Sequence, residues 1–174
     1  MPAKHIVYLL GFMGSGKSTA GKRLALQLGF PFIDLDKKIE EIYGMTIPEI
    51  FTLHGEDYFR KIESETLRSL LTSQGTVISA GGGTPCFDDN MEFMIRTGVT
   101  VYLRLTPGQL KSRIEGSTDQ RPLIKDLKGD NLLKYIEEKL SFRESWYNRA
   151  EIITDGFNLD VNFLQNLIKS KLKI

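Results

Sequence analysis

Residues 11 to 19 read GFMGSGKST and follow the apolar run Ile6-Val7-Tyr8-Leu9-Leu10. Gly11, Gly16, Lys17 and Ser18 meet the spacing G-x-x-x-x-G-K-[ST], and each residue type has a physical task. Glycines let successive backbone N–H groups converge on phosphate oxygens with no Cβ in the way. A helix opening at Lys17 aims its positive end at the same anion, while the lysine reaches the β/γ-phosphates and the Ser18 hydroxyl ligates Mg²⁺. The motif needs a strand before it and a helix after it, which confines the chain to folds that alternate the two. It names a phosphoryl donor and leaves the acceptor open.

Apolar, β-branched runs recur at 5–10, 31–35, 76–80, 99–105 and 151–154. Helix-period stretches separate them at 17–28, 36–43, 47–53, 56–73, 88–97, 107–115, 130–148 and 159–172. This alternation predicts a parallel sheet covered by helices on both faces. Over 56–73 an inward stripe of Phe59, Ile62, Thr66, Leu67, Leu70 and Leu71 is expected, closed by Gly75. Thr46-Ile47-Pro48-Glu49 has capping-box spacing and marks a helix start. The run 115–130, EGSTDQRPLIKDLKGD, lacks sustained periodicity, and an irregular loop of that length inside a compact domain is usually functional.

At 174 residues, with 41% hydrophobic and 26% charged content, one globular domain with a real core is expected. The 23 Lys+Arg nearly cancel the 22 Asp+Glu, so nothing global favours nucleic acid or an anionic membrane, and an anion site must be local. The single cysteine, Cys86, reads as a half-buried filler in a protein of the reducing cytoplasm. Lys4-His5 before the first apolar run superficially suggests a signal peptide, but cleavage there would destroy the phosphate loop. No run approaches the ~18 apolar residues of a membrane span. His5 and His54 lack metal-ligand partners at useful spacing and read as structural.

A Mg-nucleotide site commonly takes a carboxylate from the end of a second strand. Strand 76–80 ends without one and runs into Gly81-Gly82-Gly83, whereas Phe32-Ile33-Asp34-Leu35-Asp36 supplies two. Ligands of open α/β sheets gather outside the carboxyl ends of the strands, so DLD and SAGGG should both face the phosphate loop. Spacing of two in an extended segment points Asp34 and Asp36 the same way, and a helix beginning there would splay them. One could hold Mg²⁺ through water while the other orients, or takes the proton of, an acceptor hydroxyl. The plainer alternative has Asp36 capping helix 36–43 and Asp34 on the surface. Arg60 lies among aromatic residues with Glu63 at i+3 to fix a fork that suits a carboxylate, and Arg143 in SFRESWY has similar company. Arg121, in the irregular run, is placed as a mobile-loop arginine that neutralises charge in phosphoryl transfer.

In this order GFMGSGKST, IDLD, FRKIE, SAGGGT, RPLI and FRESWY resemble the shikimate kinases, small P-loop kinases of the nucleoside-monophosphate-kinase-like group. The resemblance runs over nearly the whole chain, and the combination of DLD, FRKIE, GGG and RPL is far more specific than the first motif. It implies a three-layer α/β fold on a five-stranded parallel sheet of order 2-3-1-4-5, in one domain spanning 1–174, with a substrate-binding region at 34–63 and a mobile lid at 113–128. The implied reaction moves the γ-phosphoryl of ATP to the 3-hydroxyl of shikimate, with Mg²⁺ as cofactor.

By matching motif, Gly11, Gly14, Ser15, Gly16, Lys17, Ser18, Thr19, Arg113 and Arg121 would hold ATP. Ser18 would ligate the metal, with Asp34 and Ser79 reaching it through water. Asp36, Arg60, Gly81, Gly82, Gly83 and Arg143 would hold shikimate: the aspartate on its hydroxyls, the arginines on its carboxylate. Lys17, Asp36 and Arg121 would be catalytic, and Arg113 would lie against adenine. The loop Asp155-Gly156-Phe157-Asn158 departs from more basic family versions and leaves base contacts open. A cytoplasmic monomer without nucleic-acid or membrane partners is expected. The nearest alternative is another small-molecule kinase, with gluconate or a nucleoside monophosphate as acceptor. A nucleotide switch is a third reading, since Asp126-Leu127-Lys128-Gly129 matches D-x-x-G, but no N-K-x-D guanine motif occurs.

Overall fold

The computed structural model describes residues 5–72, 74–118 and 124–174. Five parallel strands, β1 (Ile6–Leu10), β2 (Phe32–Asp34), β3 (Thr76–Ser79), β4 (Gly98–Arg104) and β5 (Ile152–Asp155), form one sheet of order β2-β3-β1-β4-β5. The order is that implied by the resemblance. Strand β1 is central, pairing with β3 from Ile6↔Thr76 to Leu9↔Ser79 and with β4 from Ile6↔Gly98 to Leu10↔Tyr102. It is buried on both faces, which is why it reads as an unbroken apolar run.

Alternation along β1 divides the core into two layers. Ile6, Tyr8 and Leu10 join a cluster with helices α2 (Leu35–Tyr43), α3 (Ile47–Ser69), α4 (Asn90–Thr97), α5 (Pro107–Glu115) and α6 (Gly129–Tyr147). Val7 and Leu9 face α1 (Lys17–Leu28) and α7 (Val161–Leu172). The three-layer arrangement read from the strand–helix rhythm is present.

Helix starts follow local chemistry. Thr46 and Glu49 form the expected capping box, with Thr46 N–H donating to Glu49 Oε2 at 2.7 Å and Glu49 N–H to Thr46 Oγ1 at 3.3 Å. The stretches expected as separate helices at 47–53 and 56–73 run together as α3, but Gly55 between them is non-helical (φ 82°, ψ 174°) and kinks it. The inward stripe ends sooner than expected: α3 stops at Ser69, so Leu71 falls beyond the helical period and is 54% exposed. Helix 88–97 begins at Asn90 after a short 3₁₀ turn, Thr84–Cys86, and helix 159–172 begins at Val161 with Asp160 as its cap.

Asp34, not Asp36, caps α2: its Oδ1 accepts from Lys37 N–H at 3.2 Å. The helix starts at Leu35, so the two aspartates are splayed rather than parallel.

Strand β4 approaches β1 through Gly98, where a Cβ would lie 2.4 Å from the Ile6 carbonyl oxygen and 2.6 Å from the Tyr8 ring. The backbone of the central strand cannot yield as a flexible side chain would. Gly98→Ala is therefore expected to destabilise the protein by about 2 kcal/mol or more, measured as a lowered urea midpoint with unchanged m-value.

Candidate active site

The carboxyl ends of β1, β2 and β3 meet at one edge, where the register places Asp34 opposite Ser79 and Leu9 opposite Ser79. A cleft of about 1030 Å³ opens there, lined by Gly14, Gly16, Lys17, Ser18, Thr19, Asp34, Asp36, Ser79, Gly81, Gly82 and Arg113 among others. The glycine-rich loop, the Asp34–Asp36 segment and the 79–82 turn thus share one opening, as strand topology requires, while Arg60 lines a separate depression with Phe87 and Asp88.

At the phosphate end, Gly16 caps α1 in a left-handed conformation (φ 89°, ψ 18°) that a residue with a side chain adopts only under strain. The helix has no side-chain cap and no acidic residue in its first turn, so its N–H groups are available to an anion. Lys17 Nζ donates to the carbonyls of Gly11 at 2.7 Å and Phe12 at 3.0 Å. Ser15 turns its hydroxyl inward, where it is buried without a partner, so what it offers the cleft is backbone.

Ser18 Oγ donates to Asp34 Oδ2 at 3.0 Å. These are hard oxygen donors, and Ser79 stands beside Asp34 in register. Among the described residues no group of three or more His, Cys, Asp or Glu could hold a metal ion by itself. The set therefore fits a cation that keeps most of its shell as water and phosphate oxygen, which is how Mg²⁺ binds.

Arg113 ties the phosphate loop to the 155–158 loop. It donates through Nη1 to Ser15 O at 3.1 Å and through Nη2 to Gly156 O at 3.1 Å, and its guanidinium lies 5.5 Å from the Phe157 ring centre. Asp155 Oδ1 accepts from the N–H groups of Phe157 and Asn158, which shapes that loop as a turn. A flat cation and an aromatic ring at the cleft margin suit a nucleobase. Arg121 lies outside the described residues.

The glycine turn 81–83 is approached closely by charged groups from three helices. A Cβ on Gly81 would meet Asp36 Oδ1 at 3.0 Å, one on Gly82 would meet Arg143 Nη1 at 3.0 Å, and one on Gly83 would meet Arg60 Nη2 at 2.7 Å. A side chain at any of the three would push on these charged groups. Both guanidinium groups also act on the Cys86 thiol, but burial outweighs them and pushes that thiol up to about 11, leaving it an inert filler.

Arg60 is held as the sequence suggested, with Nη1 donating to Glu63 Oε2 at 2.9 Å. Its Nε and Nη2 reach Glu56 Oε1 only at 3.4 and 3.5 Å, a loose contact that leaves an edge of the fork for a ligand. Arg143 lies over the Phe12 ring at 5.3 Å, which links the two ends of the site.

Glu63 was expected as the partner of Arg60, but its bond to Thr84 and the contributions of Tyr147 and Phe87 were not singled out from sequence. Glu63 is itself 1% exposed, a buried carboxylate that also accepts from Thr84 Oγ1 at 2.6 Å. Tyr147, the last residue of α6, donates from its buried hydroxyl to the Gly82 carbonyl and so fixes the glycine turn. Phe87 stacks on Arg60 with 3.9 Å from the guanidinium carbon to the ring centre. Only the positions of Thr84 after GGG and Tyr147 after FRESW could have hinted at these roles.

Asp36 is pushed up from 3.8 to about 6, first by burial, then by the charges of Glu63 and Asp34, with Lys17 opposing. In the unfolded chain it ionises near 3.8, so folding stability falls as pH rises from about 4 to 6 and stays lower above that. Asp36→Asn removes this cost. Its melting temperature is expected to exceed the parent's at pH 8, with the difference disappearing near pH 4; equal melting temperatures at pH 8 would contradict the proposed repulsion.

The comparisons with known proteins agree. The family model "Shikimate kinase" matches residues 13–169. Curated shikimate kinases from Bacteroides thetaiotaomicron and Parabacteroides distasonis are 44% and 41% identical, covering 88% and 93% of this chain and 86% and 96% of theirs. The crystal structure of the shikimate kinase from Bacteroides thetaiotaomicron superposes with a TM-score of 0.90 at 39% identity, covering 97% of this chain and 98% of that one. The shikimate kinase from Acinetobacter baumannii, solved in complex with shikimate, gives a TM-score of 0.83 at 32% identity, with 99% and 95% covered. A gluconokinase from Sinorhizobium meliloti, 18% identical with a TM-score of 0.59, shares the fold alone. With a family model over residues 13–169, relatives above 40% identical over most of both chains and a closely superposing structure, the chain belongs to the shikimate kinase family.

Proposed function

We propose that the protein is an ATP-dependent shikimate kinase, moving the γ-phosphoryl of ATP to the 3-hydroxyl of shikimate and giving shikimate 3-phosphate and ADP on the way to chorismate and the aromatic amino acids. The observation that carries the reading is one cleft that joins a bare helix N-terminus to Asp36 and a glycine turn, with the guanidinium groups of Arg60 and Arg143 packed close against that turn. Shikimate is a small polyol acid, so hydroxyls require the carboxylate and the acid group requires guanidinium.

Gly11, Gly14, Gly16 and Thr19 cradle the phosphates, and Lys17 exchanges its two loop carbonyls for β/γ-oxygens, since a charge-assisted bond to phosphate is the stronger one. Ser18 would hold Mg²⁺, with Asp34 and Ser79 reaching it through water, and the ion would supply charge neutralisation on the phosphates. Arg60 and Arg143 grip the shikimate carboxylate, and the glycines let the ring approach the backbone. Asp36 accepts a hydrogen bond from the 3-hydroxyl and receives its proton as the new O–P bond forms and the β–γ bridge breaks. In a loose transition state, orientation of the hydroxyl outweighs full deprotonation. Arg113 lies against adenine, and Arg121 is assigned to a lid over 113–128 that excludes water and neutralises the transferring group.

The domain is single, with its acceptor region over 34–63, and the protein is placed in the cytoplasm as a monomer that needs neither nucleic acid nor membrane. No described helix is long and apolar enough to cross a membrane.

ADP release from ATP and Mg²⁺ is the direct test: shikimate alone should stimulate it, and stimulation by gluconate or AMP instead would overturn the reading. In the same assay Arg121→Ala should lower kcat by about 10³, the low end of an arginine-finger loss; a change confined to shikimate KM would make it a substrate-binding residue. Asp36→Asn should lose about 10²–10⁴ in kcat. The parent's kcat/KM should fall as pH drops through about 6, where Asp36 takes up its proton; a flat profile from pH 7 to 5 would remove Asp36 from the role.

A further inference from the structure

The turn that follows the three glycines, Thr84-Pro85-Cys86-Phe87, has no part in the reading above, yet two of its side chains act on Arg60. Thr84 is 0% exposed, and its hydroxyl donates at 2.6 Å to Oε1 of the buried Glu63, whose Oε2 accepts from Arg60 Nη1 at 2.9 Å. Phe87 lays its ring on the same guanidinium, 3.9 Å from the guanidinium carbon to the ring centre. We infer that Thr84 and Phe87 are positioning residues, which hold the Arg60 fork in the plane and direction that the carboxylate of the acceptor requires. The inference rests on the reading of Arg60 as a carboxylate-binding residue.

An arginine side chain has several rotatable bonds, and freezing them on binding costs affinity unless the protein has frozen them beforehand. Here the in-plane direction is set by Glu63 and the plane by Phe87. Glu63 would itself be free to rotate if only Arg60 held it. Thr84 occupies its second oxygen and leaves one orientation.

The turn is in turn anchored. Asn90 Nδ2 donates to Thr84 O at 3.0 Å, and Arg68 Nη1 donates to Asn90 Oδ1 at 2.8 Å. Asp88, directly after Phe87, sits in the left-handed region (φ 48°) and accepts from Ser64 Oγ of α3 at 3.0 Å. That contact ties the turn to the helix that carries Arg60. Gly83 completes the arrangement, because a Cβ there would occupy the space of Arg60 Nη2.

The test measures kcat and the KM values for shikimate and ATP on the full-length enzyme for Thr84→Val, Thr84→Ser and Phe87→Leu, each alone and combined with Arg60→Ala. Phe87→Leu and Thr84→Val should raise shikimate KM about three- to tenfold, the scale of a partly desolvated cation–π contact, with kcat and ATP KM little changed. Thr84→Ser, which keeps the hydroxyl, should restore the parent KM. In the Arg60→Ala background neither substitution should add a further loss, since both act through that guanidinium. Equal losses with and without Arg60, or a fall in kcat together with a rise in ATP KM, would mean a merely structural role and overturn the proposal. If Arg60→Ala leaves shikimate KM unchanged, the carboxylate role of Arg60 fails first, a result distinct from failure of the positioning role. Should Thr84→Val not fold, because it leaves Glu63 Oε1 buried and unpaired, Phe87→Leu decides alone.

Discussion

The parallel pairing of β1 on both of its edges is the constraint from which the site follows. A strand hydrogen-bonded on two sides and buried on two faces has no freedom of register, because a slip of one residue would carry each side chain to the other layer. With β1 held, the phosphate loop must leave at the same edge as Asp34 at the end of β2 and Ser79 at the end of β3. The glycine-rich loop, the oxygens of Asp34 and Ser79 and the glycine turn then share one cleft although Gly11 and Gly81 lie 70 positions apart.

Onto that edge the protein loads charge of both signs. Asp34, Asp36 and the buried Glu63 crowd one side, and Lys17, Arg60 and Arg143 answer them. At Asp36 burial and the charges of Glu63 and Asp34 outweigh Lys17, and its affinity for protons rises accordingly. A carboxylate raised toward neutrality is a better acceptor of a hydroxyl proton than an ordinary aspartate, and a costlier one to fold around. Glu63, more deeply buried, is satisfied at both oxygens and serves as a fixed support. Two similar side chains therefore have opposite roles, decided by what each accepts.

Much of this was legible beforehand. The five strands, the capping box at Thr46 and the pairing of Arg60 with Glu63 at i+3 all depend on residues close in sequence, where periodicity and side-chain reach are reliable guides. Where the reading differed, the cause was a boundary or a distant contact. Asp34 and Asp36 splay because the helix begins one residue earlier than expected, at Leu35. Leu71 is outside because α3 stops at Ser69. The Thr84–Glu63 and Phe87–Arg60 contacts join residues more than 20 apart and carry no periodic signal.

The sequence alone determined the donor loop, the alternation that makes a parallel sheet, and the set of carboxylates, arginines and glycines a polyol acid would need, because each depends on residue type and short spacing. The tertiary structure decided which aspartate faces Ser18 and which the glycine turn, and how the Arg60 fork is aimed. Those outcomes depend on helix starts and on packing between distant segments, where an oxygen displaced by one ångström changes its partner.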